Sequence, residues 1–308
     1  MTLIKKVSVG LLSILFFNTA LAQEYEGSGS SSNSATNTSV TTATNEDANQ
    51  RGAFGVTYYF IGGQTFAAND YDSSSFDIFD SYLSFNYKVN KNLRFGARPA
   101  FGYSVEGVNS YGDSVDNKAR VRDFSFVMTV YNVAEDYLPA NITYQIQPRV
   151  YLPTSDDSKE QGLISKLRIG QEVKWFYQRY SYIRFYLTPN YYFQRSTTYL
   201  SNANPQKPNS MKTTALADSE HGVELSYSLN KQFSIKPGLN FIDKWSNESE
   251  ANGLKRYRST VVDYRLGMEV RLDRNVSFTF GLQSEQDLIR TDKSRELSYS
   301  LMTGGSLF

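Results

Sequence analysis

The chain has 308 residues, with 32 Lys and Arg against 31 Asp and Glu, so no basic surplus points to nucleic acid as a partner. It has no cysteine and one histidine, which excludes disulfides, a lipid-modified cysteine and a zinc site built from those ligands. Mean hydropathy is −0.46, yet there are 23 Tyr and 20 Phe, a balance that suits sheets wet on one face and apolar on the other.

Residues 1–22 have the three-part layout of a secretory signal peptide. Lys5 and Lys6 supply positive charge, Val7 to Phe17 an apolar run, and Ala20-Leu21-Ala22 small residues two apart, so cleavage is expected before Gln23. The apolar run is too short for a membrane-crossing helix, which needs roughly twenty residues. Residues 23–50 are Ser, Thr, Asn, Gly and Ala with almost no large apolar side chain, and cannot bury enough surface to offset ordering entropy. They are expected to form a flexible periplasmic tail, or one that enters the mouth of the domain that follows.

Residues 51–308 read as that domain. In Asp80 to Val105, Leu83, Phe85, Tyr87 and Val89 alternate with polar residues, and Leu93, Phe95, Ala97, Phe101, Tyr103 and Val105 do so again after Asn90-Lys91-Asn92. Period-two alternation marks a strand with one apolar face, and about ten such residues suit a tilted bilayer crossing. About twelve similar runs follow one another, from Gly52–Thr65 to Glu296–Phe308. Their connections alternate between short (Asn90–Asn92, Asn230–Gln232) and long (Thr198–Lys212, Ser246–Arg256). This pattern predicts an all-β fold, a closed antiparallel transmembrane β-barrel of about twelve strands, with short periplasmic turns and longer extracellular loops. A soluble β-sandwich is the alternative, but it has no need for such regular loop lengths.

Tyr87, Trp175, Tyr177, Tyr180, Tyr227 and Phe233 flank short turns, and Tyr151, Tyr199, Trp245 and Tyr257 flank long loops, as aromatic girdles at the headgroup level would. Pro99, Pro148, Pro189 and Pro237 each remove a ladder donor, a cost that local bulges could absorb. Lys118, Arg120 and Arg122 share parity with Phe124, Phe126 and Met128, so either a bulge intervenes or those three charges lie above the bilayer. With its terminal Phe308, the chain resembles bacterial outer-membrane β-barrel proteins as a class. That resemblance implies outer-membrane lipid and lipopolysaccharide as surroundings, and a C-terminal aromatic assembly signal read by the barrel-assembly machinery. Ser306 and Gly304 depart from the class pattern, which places large apolar residues there.

Assigning the greasier parity outward leaves a charged lining: Arg94 and Arg98 on one run, then Arg149; Lys166, Arg168, Glu172 and Lys174; and Arg184. Later runs add Asp218, Glu220 and Glu224; Lys236; Asp263, Arg265, Glu269 and Arg271; and Glu285. Each would cost about 2–4 kcal/mol facing lipid near the midplane, so they must face water or each other. In one reading basic residues and an acidic ladder line a narrow, water-filled passage for small hydrophilic solutes, kept open where glycines such as Gly96, Gly170, Gly222 and Gly281 thin the wall. In the other the charges pair and fill a non-conducting barrel that acts through its loops.

No phosphate-cradling loop or nucleophile elbow is present, and no cofactor is expected. Asp70 with Asp72, or Asp156 with Asp157, have the oxygen ligands calcium takes, although solvated loop charge explains them as well. Ser219 and His221, two apart on the lipid-facing parity, pair a nucleophile type with a base type and are loosely similar to the serine and histidine of outer-membrane phospholipases. Their order is reversed, the flanking motif is missing, and no Asn or Asp to orient the imidazole is evident. A non-enzymatic barrel is therefore the expectation.

Overall fold

The computed structural model describes residues 53–67, 77–104, 107–108, 114–115, 118–201, 210–249, 253, 258–272, 276–289 and 296–306. The expected signal peptide and tail, Asp70, Asp72, Tyr257 and Phe308 lie outside the described residues.

Twelve antiparallel strands follow in chain order: β1 (Ala53–Ala67), β2 (Asp77–Asn90), β3 (Leu93–Arg98, resuming as Ala100–Ser104) and β4 (Lys118–Val121, resuming as Phe124–Val130). Then come β5 (Ile142–Leu152), β6 (Leu163–Gln178), β7 (Ser181–Gln194), β8 (Ala215–Ser228), β9 (Phe233–Ser246), β10 (Arg258–Arg271), β11 (Val276–Asp287) and β12 (Glu296–Ser306). Each pairs with its neighbours in sequence, and β1 pairs with both β2 and β12. The sheet therefore closes on itself through β1 and β12, which pairs the backbone of the wall without water.

Local chemistry explains the tight turns. Asn90 Oδ1 accepts from the Asn92 amide at 2.8 Å, and Asn230 Oδ1 from the Gln232 and Phe233 amides at 2.8 and 2.9 Å. Such Asx turns substitute a side chain for a backbone partner and reverse the chain within three residues. At the opposite end Thr198–Ser201 pairs with Ser210–Thr213, which prolongs the β7–β8 hairpin beyond the barrel. The β5–β6 loop carries a short helix, α1 (Asp156–Glu160), whose N-cap Ser155 accepts from the Ser158 amide at 3.2 Å. Asp123 anchors this loop by accepting from the Ser155 hydroxyl at 2.8 Å and the Ser158 hydroxyl at 2.5 Å.

The four prolines behave differently from one another. Pro99 interrupts β3: pairing with β2 keeps one register across the break, with Phe85 opposite Ala97 and Tyr82 opposite Ala100, whereas pairing with β4 shifts by one residue between Arg98–Ser125 and Phe101–Val121. Pro148, Pro189 and Pro237 sit opposite Ile169, Ser219 and Leu266 with no register shift beside them. Bulges are absent there: a missing N–H is tolerated where the neighbouring pairs hold the register. β4 breaks at Arg122–Asp123, beside the interruption of β3. The break exchanges inward and outward parity, so Arg120 pairs with Gly102 on the inner face while Phe126 points out.

The outer wall is apolar. Phe85, Phe95, Phe126, Phe185, Leu266, Met268, Leu282 and Leu301 are all exposed there. Exposure of so many large apolar side chains is costly in water and favourable in hydrocarbon. Tyr87, Trp175, Tyr227 and Phe233 lie on this wall near the short turns, as a girdle requires. Tyr151 does not belong to one: it shares parity with Arg149, faces inward and is 9% exposed.

Candidate channel interior

Inward side chains form continuous rows around the wall because every strand pairs in register with the next. One row near the long loops runs Arg98, Ser125, Tyr151, Lys166 and Tyr192. The row below it contains Val127, Arg149, Arg168, Asn190 and Asp218. Nearer the short turns, Gln145, Glu172, Tyr186, Gly222, Asn240, Asp263 and Glu285 make a third. A fourth contains Lys174, Arg184, Glu224, Gly238 and Arg265.

The two lower rows are knitted by ion pairs. Glu172 accepts from Arg184 Nε at 2.6 Å and meets Lys174 Nζ at 2.9 Å, while Arg184 also reaches Glu224 at 3.7 Å. Lys236 and Arg271 meet Glu269 at 3.1 and 2.9 Å. Arg265 pairs with the fully buried Asp263 and lies 3.8 Å from Glu220, which is 3.7 Å from Arg168. Glu285 accepts from Gln283 Nε2 at 2.5 Å. A cavity of about 40 Å³ lies among these pairs, lined in part by Glu172, Arg184, Glu220 and Arg265.

The glycines do not open this region. A Cβ on Gly222 would lie 2.3 Å from the Leu239 carbonyl and 2.8 Å from the Tyr186 hydroxyl. Tyr186 lies across the gap and donates to Asn240 Oδ1 at 2.9 Å. Gly96 and Gly281 make similar room for Asn86 and Ser300. The expectation that glycines thin the wall is corrected at these three positions: each admits a neighbouring polar side chain.

Toward the long loops the interior widens into a cavity of about 300 Å³. Its walls include Arg98, Arg149, Lys166, Arg168, Tyr82, Tyr151, Tyr192 and Asp218, with Ser155, Asp157 and Gln161 of the β5–β6 loop beside them. Arg98 stacks over Tyr82 at 4.7 Å and donates through Nε to Ser84 Oγ at 3.1 Å. Lys166 Nζ sits 4.1 Å from the centre of the Tyr151 ring, whose hydroxyl accepts from Arg149 Nη1 at 2.9 Å. Asp218 accepts from Asn190 and Tyr192. Arg94 lies over Tyr131 at 5.3 Å.

No family model matches the sequence, and no curated protein matches it either. Solved structures do resemble the fold. An outer-membrane channel of Pseudomonas putida F1 superposes with a TM-score of 0.55 at 10% identity, over 84% of this chain and 97% of that one. The fold is that of a bacterial outer-membrane β-barrel. The NanC porin (TM-score 0.47, 10% identity, 81% of this chain and 100% of that one) and the transport unit of the Escherichia coli autotransporter AIDA-I (TM-score 0.45, 12% identity, 82% and 90%) also match.

On the outer face of this barrel the structure adds a residue that the sequence did not reveal. Asp243 of β9 stands directly opposite Ser219, near the long-loop end. Its Oδ2 is 4.0 Å from His221 Nδ1, beyond hydrogen-bond reach, while Oδ1 accepts from Thr260 Oγ1 at 2.5 Å and lies 3.7 Å from Arg258. The imidazole stacks on Phe241 with centroids 5.5 Å apart. The missing signal was register: only pairing β8 with β9 brings Asp243 to Ser219. Asp156 and Asp157 are 3.8 and 3.7 Å from Lys159 and Arg122, and no group of three metal-ligating side chains occurs among the described residues.

Proposed function

We propose that this barrel is a narrow outer-membrane channel for small hydrophilic solutes, entered through the wide cavity at the long-loop end and constricted by charge pairs toward the short turns. The observation that carries this reading is the cavity of about 300 Å³, whose walls are almost wholly polar or charged and which opens beside the β5–β6 loop. Water-filled space lined by fixed charges and hydrogen-bonding groups is what selects and passes polar solutes. Twelve strands also set a width between filled eight-stranded barrels and open sixteen-stranded ones.

The paired interior nearer the short turns favours a second reading, a non-conducting barrel that works through its loops. Purified, refolded protein in planar lipid bilayers separates the two. The channel reading predicts discrete current steps, small because the constriction is tight. Glu220→Gln is expected to shift the reversal potential toward anion preference, since it removes negative charge between the two cavities. Silent bilayers, with the protein inserted, would leave the second reading.

A further inference from the structure

The wide cavity contains an imbalance that folding alone does not explain. Each carboxylate on its wall is engaged: Asp123 by Ser155 and Ser158, Asp157 by Arg122, Asp218 by Asn190 and Tyr192, Glu220 by Arg168 and Arg265. Three cations there have no such counterpart. Among the described residues Arg98, Arg149 and Lys166 form no ion pair with a carboxylate; they contact hydroxyl and amide oxygens and tyrosine rings.

Two of them are deeply placed. Arg98 is 6% exposed and Arg149 is 5% exposed. Arg98 Nη1 and Arg149 Nε are buried with no hydrogen-bond partner. A buried guanidinium N–H without an acceptor costs free energy, and retaining two in one cavity is best explained by an acceptor that arrives from outside. Register brings the three together. Arg98 and Tyr151 flank Ser125 in one row, Lys166 adjoins Tyr151, and Arg149 follows two residues before Tyr151 on the same face.

We infer that Arg98, Arg149 and Lys166 form a binding site for the carboxylate of a small hydroxylated organic anion. This rests on the channel reading for its route but not for its chemistry. Planar guanidinium forks match a carboxylate, and the ammonium adds charge without demanding a fixed direction. Tyr82, Tyr151 and Tyr192 offer aromatic surface and hydroxyls to the rest of the ligand. A cavity of about 300 Å³ lies at the lower end of small-molecule sites, so the ligand is small.

The test is isothermal titration of the full refolded barrel in detergent with sodium gluconate as the carboxylate probe, sorbitol as the uncharged match and sodium sulfate as an inorganic oxyanion. Saturable heat is expected for gluconate and none for sorbitol. Arg149→Gln is expected to weaken gluconate about tenfold or more, and rising salt to weaken it further. Lys166→Gln, at a less enclosed position, should do the same to a smaller degree and covers the case in which the arginine variant does not fold. Absence of gluconate binding, equal binding of sorbitol, binding unchanged in Lys166→Gln, or binding of sulfate alone would each overturn the proposal. Bilayer currents from the same preparation keep the two readings apart: current without gluconate binding removes the site, and binding without current removes the channel.

Discussion

The two halves of the barrel interior are built from the same residue types and treat them in opposite ways. Toward the short turns, Glu172, Lys174, Arg184 and Glu224 neutralise one another, Lys236 and Arg271 share Glu269, and the cavity among these pairs is about 40 Å³. Toward the long loops, Arg98, Arg149 and Lys166 lean on tyrosines and leave a wide cavity. Charge content therefore does not decide whether a barrel interior is filled. Cross-strand register does, by placing a glutamate opposite an arginine in one half and a tyrosine opposite a lysine in the other. An interior ion pair in a low-dielectric setting resists separation, whereas a cation on an aromatic ring can exchange that contact for a solute.

The comparison is broken most severely at Glu172. Glu172→Ala strands Arg184 and Lys174 in the filled half and is expected to cost about 3–5 kcal/mol, seen as a lower thermal midpoint by circular dichroism in detergent. Lys166→Gln in the open half, where no ion pair is lost among the described residues, should shift that midpoint far less. Gly222→Ala sharpens the contrast, because its Cβ would run into a backbone carbonyl that cannot move aside. About 1–3 kcal/mol is expected, from the same melting curves. The smallest effect belongs to Tyr186→Phe, which removes one hydrogen bond to Asn240 and should cost about 1 kcal/mol. Equal losses at Glu172 and Lys166 would contradict the division.

Much of the fold was legible in the chain itself because a strand's alternation is local. Phe85 and Tyr87, or Leu266 and Met268, declare the outer wall without reference to any partner. What depended on neighbouring strands was not legible. Tyr151 looked like a girdle residue from its place at the end of a run, whereas parity with Arg149 turns it inward. The parity switch at Arg122–Asp123 needed the interruption of β3 at Pro99 beside it, and the other three prolines leave no trace in the register. Of the inward charges, sequence supplied the membership of the set but not the pairing. It could not distinguish Arg184, held by two glutamates, from Arg149, held by a tyrosine and a glutamine.

Because the chain has no cysteine, single cysteines can report the two halves directly. Ala100→Cys places a thiol on the wall of the wide cavity, and Gln145→Cys places one on the small cavity between the ion pairs; both positions are half-buried. With a negatively charged methanethiosulfonate reagent and refolded protein, the thiol at 100 is predicted to react at least about tenfold faster, since the larger cavity and a local positive field both favour it. Equal rates, or faster reaction at 145, would contradict an interior divided into an open cationic half and a closed, charge-paired one.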